Sequence, residues 1–285
     1  MVKKHLSKIP PRKQDTHKGD FGHVFVLAGS VGMTGAAYLA SQAALLAGSG
    51  IVTCGIPKSL NVIMEVKLTE AMTLPLSETR ECSISLSAEK DILDFAEKID
   101  VIAIGPGLSR HKETLALTRN LLKKINKPFV LDADGAIALT GYCDILKKRS
   151  APTVLTPHPG EMSRLVGKDI RVIQKSREKI ASDFAKKYKI ILVLKGHQTV
   201  VANSRGDTYI NRTGNSGMST AGVGDVLTGM ISSFVGQGID PYSAAAIGVY
   251  LHGTAGDIAA KEKGQFSLIA SDLLDKLPQA IKEVV

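Results

Sequence analysis

The sequence predicts an α/β fold, a three-layer α/β/α sandwich in which helices cover both faces of a mostly parallel central sheet. Three observations carry this. Short apolar, β-branched runs end in Gly, Pro, Asp or His; helix-periodic segments lie between them; and after residue 196 the pattern changes to an antiparallel hairpin.

Taken in chain order, residues 1–18 form a basic N-terminal extension to a single domain spanning 1–285. The runs HVFVLAG (23–29), VIAIGPG (101–107), PFVLDADG (128–135), PTVLTPH (152–158) and IILVLKG (190–196) read as parallel strands buried on both faces. Helix periodicity is clearest in TGAAYLASQAALLAG (34–48), SAEKDILDFAEKI (87–99), ETLALTRNLLKKI (113–125) and DIRVIQKSREKIASDFAKKY (169–188). QTVVANS (198–204) and DTYINRT (207–213), joined by Arg205-Gly206, predict the hairpin. Two helices follow, over 226–237 and 242–262, and then a short final one.

Composition bounds the function without choosing it. The chain of 285 residues carries a formal net charge of +9, which points to an anionic partner: nucleic acid, a membrane surface or a phosphorylated small molecule. Aromatics at 5% with no Trp, and no recognition-helix or RRM-like motif, argue against nucleic acid. No run reaches the roughly 18 apolar residues of a membrane span, and residues 1–20 lack the apolar stretch of a signal peptide. Cys54, Cys82 and Cys143 are odd in number and widely spaced, which fits a reducing cytoplasm better than a disulfide framework.

The segment GNSGMSTAGVGDVLTGMISSF (214–234) is the strongest chemical signal. Gly214, Gly217, Gly222 and Gly224 let the backbone approach a ligand, and a helix beginning near Gly224 would direct its free N–H groups and positive dipole end at one anion. Asp225 then has two readings. It is either an acid that stabilises the first helical turn or a base that takes a proton from a substrate hydroxyl during phosphoryl transfer. No GxxxxGK[ST] and no GxGxxG spacing is present, which argues against a Walker ATPase and an ordinary nicotinamide dehydrogenase. Lys195-Gly196 ends a strand and opens a donor-rich turn suited to a nucleotide phosphate.

AGVGDVLTG (221–229) resembles the second signature of the ribokinase-like superfamily. The chain as a whole resembles one branch of it, the ADP/ATP-dependent NAD(P)H-hydrate dehydratases, through KGDFGHVFVLAGS (18–30), GAAYLASQAALLAGSGIVT (35–53), AIGPGL (103–108), LDADG (131–135), LTPHPGEM (155–162) and VLKGHQT (193–199), all in the family's order. The resemblance implies repair of the S-form of hydrated NADH or NADPH: the ring hydroxyl is phosphorylated, and loss of phosphate restores the dihydronicotinamide. ADP is the expected donor, leaving AMP and phosphate, with ATP as the other candidate.

Residue by residue, the resemblance implies an anion hole at Gly222, Val223 and Gly224, with Asp225 as catalytic base. Lys195, Gly196, His197, Gln198 and Thr199, with Gly224, would contact the nucleotide. Ala36, Ala37, Gly107, Asp132 and His158, with Asp225, would contact the substrate, and Glu161 would hold Mg2+ through water. Asp132 could instead cap the following turn. Ala221 replaces the first of two glycines common in the family, and its β-carbon is expected to tighten the cradle or restrict φ. The resemblance also implies assembly as a homotetramer. Some carry a fused epimerase, which is expected here on a separate protein. The rival reading is a vitamin or sugar kinase of the hydroxyethylthiazole type, set apart by the combination of TPHPGE and VLKGHQT.

Overall fold

The computed structural model describes residues 2–285. Its strands are β1 (His23–Leu27), β2 (Ile51–Pro57), β3 (Met72–Leu76), β4 (Val101–Ile104), β5 (Phe129–Leu131), β6 (Thr153–Leu155), β7 (Ile191–Leu194), β8 (Val200–Ala202) and β9 (Thr208–Ile210). They form one sheet in the order β3-β2-β1-β4-β5-β6-β7-β8-β9. Pairing is parallel from β3 through β7, and β8 and β9 add antiparallel. The fold is the expected ribokinase-like α/β architecture.

The apolar runs are continuous because each central strand feeds two cores. Val24, Val26, Val101, Ala103 and Val130 face one side, with the helices Thr34–Leu46, Val223–Gly236, Pro241–Lys263 and Ala270–Lys282. Phe25, Leu27, Ile102, Ile104, Phe129 and Leu131 face the other, with Glu89–Ala96, Lys112–Lys124 and Arg177–Tyr188. The alanine-rich helix Thr34–Leu46 lies close against Val223–Gly236, since a β-carbon at Gly229 would stand 2.0 Å from the Ala40 carbonyl oxygen.

Two strands escaped the pattern reading. β2 holds Thr53 and Gly55, the latter flat under the Phe25 ring, where a β-carbon would come within 2.7 Å. β3 is an edge strand with Pro75 and half-exposed side chains, so neither alternation nor a buried run marks it. The helix expected over 169–188 breaks at Ser176 (φ −139°, ψ 39°) into Ile170–Lys175 and Arg177–Tyr188. Arg177 thereby reaches β7, where its guanidinium donates to the Leu194 carbonyl at 2.8 Å. The hairpin forms as predicted, with Gly206 at φ 93° and the Asn203 side chain accepting from the N–H groups of Arg205 and Asp207.

The basic N-terminal extension includes a short helix, Lys3–Leu6, docked on the start of Pro241–Lys263, where His5 bonds Ser243 at 2.9 Å and Lys8 pairs with Asp240. Cys54, Cys82 and Cys143 are free. No helix among the described residues is long and apolar enough to cross a membrane. Because β1 lies between β2 and β4, the strand order reverses there. The loops after β1 and β4 therefore frame the crevice where such sheets bind ligands. Gly29 donates to the Pro106 carbonyl at 2.9 Å, and Ser30 to that of Gly107 at 2.8 Å, tying the two loops together.

Candidate active site

Side chains from the carboxyl ends of three neighbouring strands meet the start of the helix Val223–Gly236. Asp132, directly after β5, is 1% exposed. One of its oxygens is ion-paired with the ammonium of Lys195, directly after β7. The other accepts a 2.8 Å hydrogen bond from the hydroxyl of Thr228, in the second turn of the helix. Asp132 stands at the N-cap of the short helix Ala133–Ile137 but makes no capping bond, so its side chain serves the site and not the turn.

Gly224 lies over this pair. A β-carbon there would sit 3.2 Å from Lys195 Nζ and 3.7 Å from Asp132 Oδ2. Gly222 adopts φ 89°, and a β-carbon on it would come within 2.6 Å of Leu39 and 3.0 Å of Ala270. Gly222 is required by contact and by backbone conformation, whereas a β-carbon at Gly224 would crowd the Lys195 ammonium. Asp225 N–H donates to the Gly222 carbonyl at 3.0 Å, whereas the first-turn N–H groups of Val223 and Gly224 have no acceptor within the helix. Ala221 is exposed at the edge of this turn and has no positive φ, so its β-carbon adds no left-handed backbone strain.

Asp225 is partly buried, and among the described residues its carboxylate accepts no hydrogen bond. Burial first, and then the neighbouring Asp132 charge, raise its carboxyl to about 7; Lys195 opposes this and Glu161 adds to it. An acid serving only the helix dipole would be driven the other way. Burial would lower the Lys195 ammonium, but Asp132, Glu161 and Asp225 outweigh it and hold it above its usual value. Lys195 is thus the shared countercharge of three carboxyl groups, deeper and more constrained than a strand-end lysine reaching for a phosphate.

After β6, His158 N-caps the helix Pro159–Val166. Its Nδ1 accepts from Gly160 N–H at 2.9 Å and from Glu161 N–H at 3.3 Å, while Glu161 returns a 2.9 Å bond to the His158 N–H. His158 Nε2 lies 3.3 Å from Glu161 Oε1, and the ring is otherwise exposed. Glu161 is 6% exposed, and burial raises its carboxyl against the pull of Lys195. Among the described residues no three His, Cys, Asp or Glu side chains converge as a metal cage.

A cavity of about 680 Å3 opens beside the helix start. The turn Lys195–Thr199 forms one wall, with Gly196 at φ 138° and Gln198 at φ 55°. Arg177 pins this turn by donating to the Lys195 carbonyl at 3.3 Å. Val223 and Gly224 line the floor. The opposite wall includes Asn211, Thr213, Asn215 and His252, none of which the sequence reading named. For His252 the signal was HGTAGD at 252–257, a His and an Asp within a largely apolar stretch of helix. On the crevice side, Gly107 (φ 59°) packs against Met33 and Ala36, leaving 2.7 Å and 3.1 Å for any β-carbon. Ala36 is half-buried there, but the Ala37 side chain is fully buried in the core.

A model of the NAD(P)H-hydrate dehydratase family matches residues 24–279. The chain belongs to that family. It is 47% identical over 278 residues to the bifunctional NAD(P)H-hydrate repair enzyme Nnr of Moorella thermoacetica, covering 98% of this chain and 52% of that protein. It thus spans about half the length of the bifunctional relatives it matches. It is 35% identical to the ADP-dependent (S)-NAD(P)H-hydrate dehydratase of Bacillus subtilis, covering 96% of this chain and 94% of that one. The B. subtilis ADP/ATP-dependent enzyme co-crystallised with ATP and Mg2+ superposes with a TM-score of 0.87 at 33% identity, over 100% of this chain and 98% of that one. A hydroxyethylthiazole kinase from Pyrococcus horikoshii reaches a TM-score of 0.65 at 19% identity, which shows a common fold only. These matches favour the dehydratase over the vitamin-kinase rival.

Proposed function

We propose that the protein repairs (S)-hydrated NADH and NADPH by nucleotide-dependent dehydration, with ADP as donor. The observation that carries this is the unpaired Asp225 carboxyl, raised to about 7, beside a glycine-lined helix start and a cavity large enough for a nucleotide. A base poised near neutrality suits removal of a proton from the ring hydroxyl.

In this reading the nucleotide lies along Lys195–Thr199, and the Val223 and Gly224 N–H groups hold its terminal phosphate. Asp225 takes the proton of the ring hydroxyl as that oxygen attacks phosphorus and the bond to the departing AMP breaks. The carbon–oxygen bond of the phosphate ester so formed then breaks, inorganic phosphate departs with the bonding electrons, and loss of a proton from the neighbouring ring carbon restores the double bond of the dihydronicotinamide. The substrate ring is assigned to the crevice bounded by Gly107, Ala36 and Asp132, next to the exposed edge of His158; Ala37 supports that wall from within. Asp132 and Thr228 do not meet the reacting atoms; they fix Lys195 and, through it, the local charge.

The donor set fits Mg2+ held through water. Three carboxyl groups, at Asp132, Glu161 and Asp225, share the single ammonium of Lys195; burial is the main cause of the raised Glu161 and Asp225 carboxyls, and repulsion from the neighbouring carboxylates adds to it. When bound, the ion would supply charge neutralisation at the phosphates. A cytoplasmic location is supported by the three free cysteines. Homotetrameric assembly rests on the family resemblance alone.

The test supplies purified protein with hydrated NADH, Mg2+ and either ADP or ATP, and follows dihydronicotinamide absorbance and phosphate release. Recovery of both signals is expected, faster with ADP. No recovery with either nucleotide would remove the assignment. Phosphorylated hydrate that accumulates without absorbance recovery would indicate a kinase.

A further inference from the structure

The helix Pro241–Lys263 grips the glycine loop at both ends. Asp257 accepts the Gly214 N–H at 2.8 Å and the Asn215 side-chain amide at 2.9 Å, which fixes the loop's entry. The carbonyls of Val249 and Tyr250 accept from Asn211 at 3.0 Å and Thr213 at 2.9 Å. Two glycines make this closeness possible. A β-carbon at Gly253 would lie 2.2 Å from the Thr213 hydroxyl, and one at Gly256 would lie 2.3 Å from the Met218 sulfur. At the loop's exit, His252 Nε2 lies 2.8 Å from the Val223 carbonyl oxygen.

That last contact has a defined chemistry. A carbonyl only accepts, so Nε2 carries the ring proton and Nδ1 does not. Burial lowers the imidazole to about 4, so near neutral pH the ring keeps this single donor pattern and brings no charge to the cavity. An imidazole buried to 7% exposure in an apolar helix is costly unless bonded, and this is its one hydrogen bond among the described residues.

The bonded carbonyl belongs to the peptide unit whose N–H is that of Gly224. The unit is planar, with C=O and N–H pointing in opposite directions, so fixing one end fixes the other. A donor on the oxygen also polarises the N–H and makes it a stronger donor.

We propose that His252 is a positioning residue for phosphoryl transfer: its hydrogen bond to Val223 locks and polarises the 223–224 peptide, so that the Gly224 N–H is aimed in advance at the transferring phosphoryl group. The proposal rests on the reading of this helix start as an anion hole. It adds that the hole is built from outside, by a helix that never touches the phosphate.

The test compares His252→Phe, which keeps a planar aromatic ring, slightly larger, but has no donor, with His252→Gln, whose amide can still donate to Val223. Phe should lower kcat by about 10- to 100-fold, less than the roughly 100- to 1000-fold for removing a preorganised donor outright because the Gly224 N–H remains, with nucleotide KM held within about threefold. Gln should restore turnover to within about fivefold of the parent. Hydrogen exchange, which needs no activity, should quicken over 221–227 in the Phe variant and return in Gln, with the rest of the chain unchanged. His252→Asn, whose shorter amide falls away from Val223, replaces Phe if that variant does not fold. Parent-like turnover in Phe, equal losses in Phe and Gln, or unaltered exchange over 221–227 would overturn the proposal. An inactive parent would instead remove the repair reading, and the exchange comparison would still judge the tether.

Discussion

Asp225→Asn should stabilise the protein at alkaline pH while abolishing its chemistry. The Asp225 carboxyl rises from 3.8 to about 7 on folding. The sign follows from linkage. Below about pH 4 the group is protonated in both states and costs nothing; between about 4 and 7 the unfolded chain ionises first, so stability is lost; above about 7 the full penalty stands. A rise of about three units at about 1.36 kcal/mol each sets an upper bound near 4 kcal/mol, and relaxation around a partly solvent-accessible group brings this to the order of 2–4 kcal/mol. Asparagine cannot ionise, and all other carboxylates are common to both proteins. Urea unfolding in metal-free buffer, at about pH 4.5 and about pH 8.5, reads the difference directly. The variant should exceed the parent by only about 1 kcal/mol at the lower pH and by about 2 kcal/mol or more at the higher, the gap widening between them. Parallel stability curves would refute the claim that Asp225 is held above its ordinary range.

Other outcomes follow from the same geometry. In low Mg2+, kcat/KM should rise with pH through about 7 as Asp225 ionises, and a profile flat from about 5 to 9 would separate the carboxyl from the rate. Lys195→Met leaves three carboxyl groups without their countercharge; the variant should lose more than about tenfold in turnover and shift the pH profile upward, which kinetics across pH would check. Gly229→Ala forces a β-carbon to 2.0 Å from the Ala40 carbonyl oxygen and should cost at least about 2 kcal/mol in chemical denaturation, with no specific effect on nucleotide KM. Thr228→Val removes the second bond to the buried Asp132 carboxylate and should lower turnover several-fold and cost about 1–3 kcal/mol in chemical denaturation.

How much was legible in the sequence depended on where a residue sits. Asp132, Glu161, Lys195 and Asp225 follow strands or open a helix, where glycine, proline and charge interrupt an apolar pattern, so each could be singled out. That they converge on one ammonium could not be read, because the Lys195–Asp132 pair joins positions 63 residues apart through the order of β5, β6 and β7. Thr228, His252 and Asp257 lie inside helices, where a polar side chain gains its role from whatever packs opposite. β3 was missed because edge strands need not be apolar, and Arg177 because nothing local predicts that a helix must break to turn it toward β7. His158 was read as a substrate contact, and the structure adds a helix-capping role that its spacing from Glu161 already encoded.

The central claim, that Asp225 removes a proton while the adjoining N–H groups hold the phosphoryl group, is met most directly by phosphate release from hydrated NADH and ADP by folded Asp225→Asn. A fall of about 100-fold or more in kcat with nucleotide affinity within about threefold of the parent is the predicted result. Turnover equal to the parent's would contradict it.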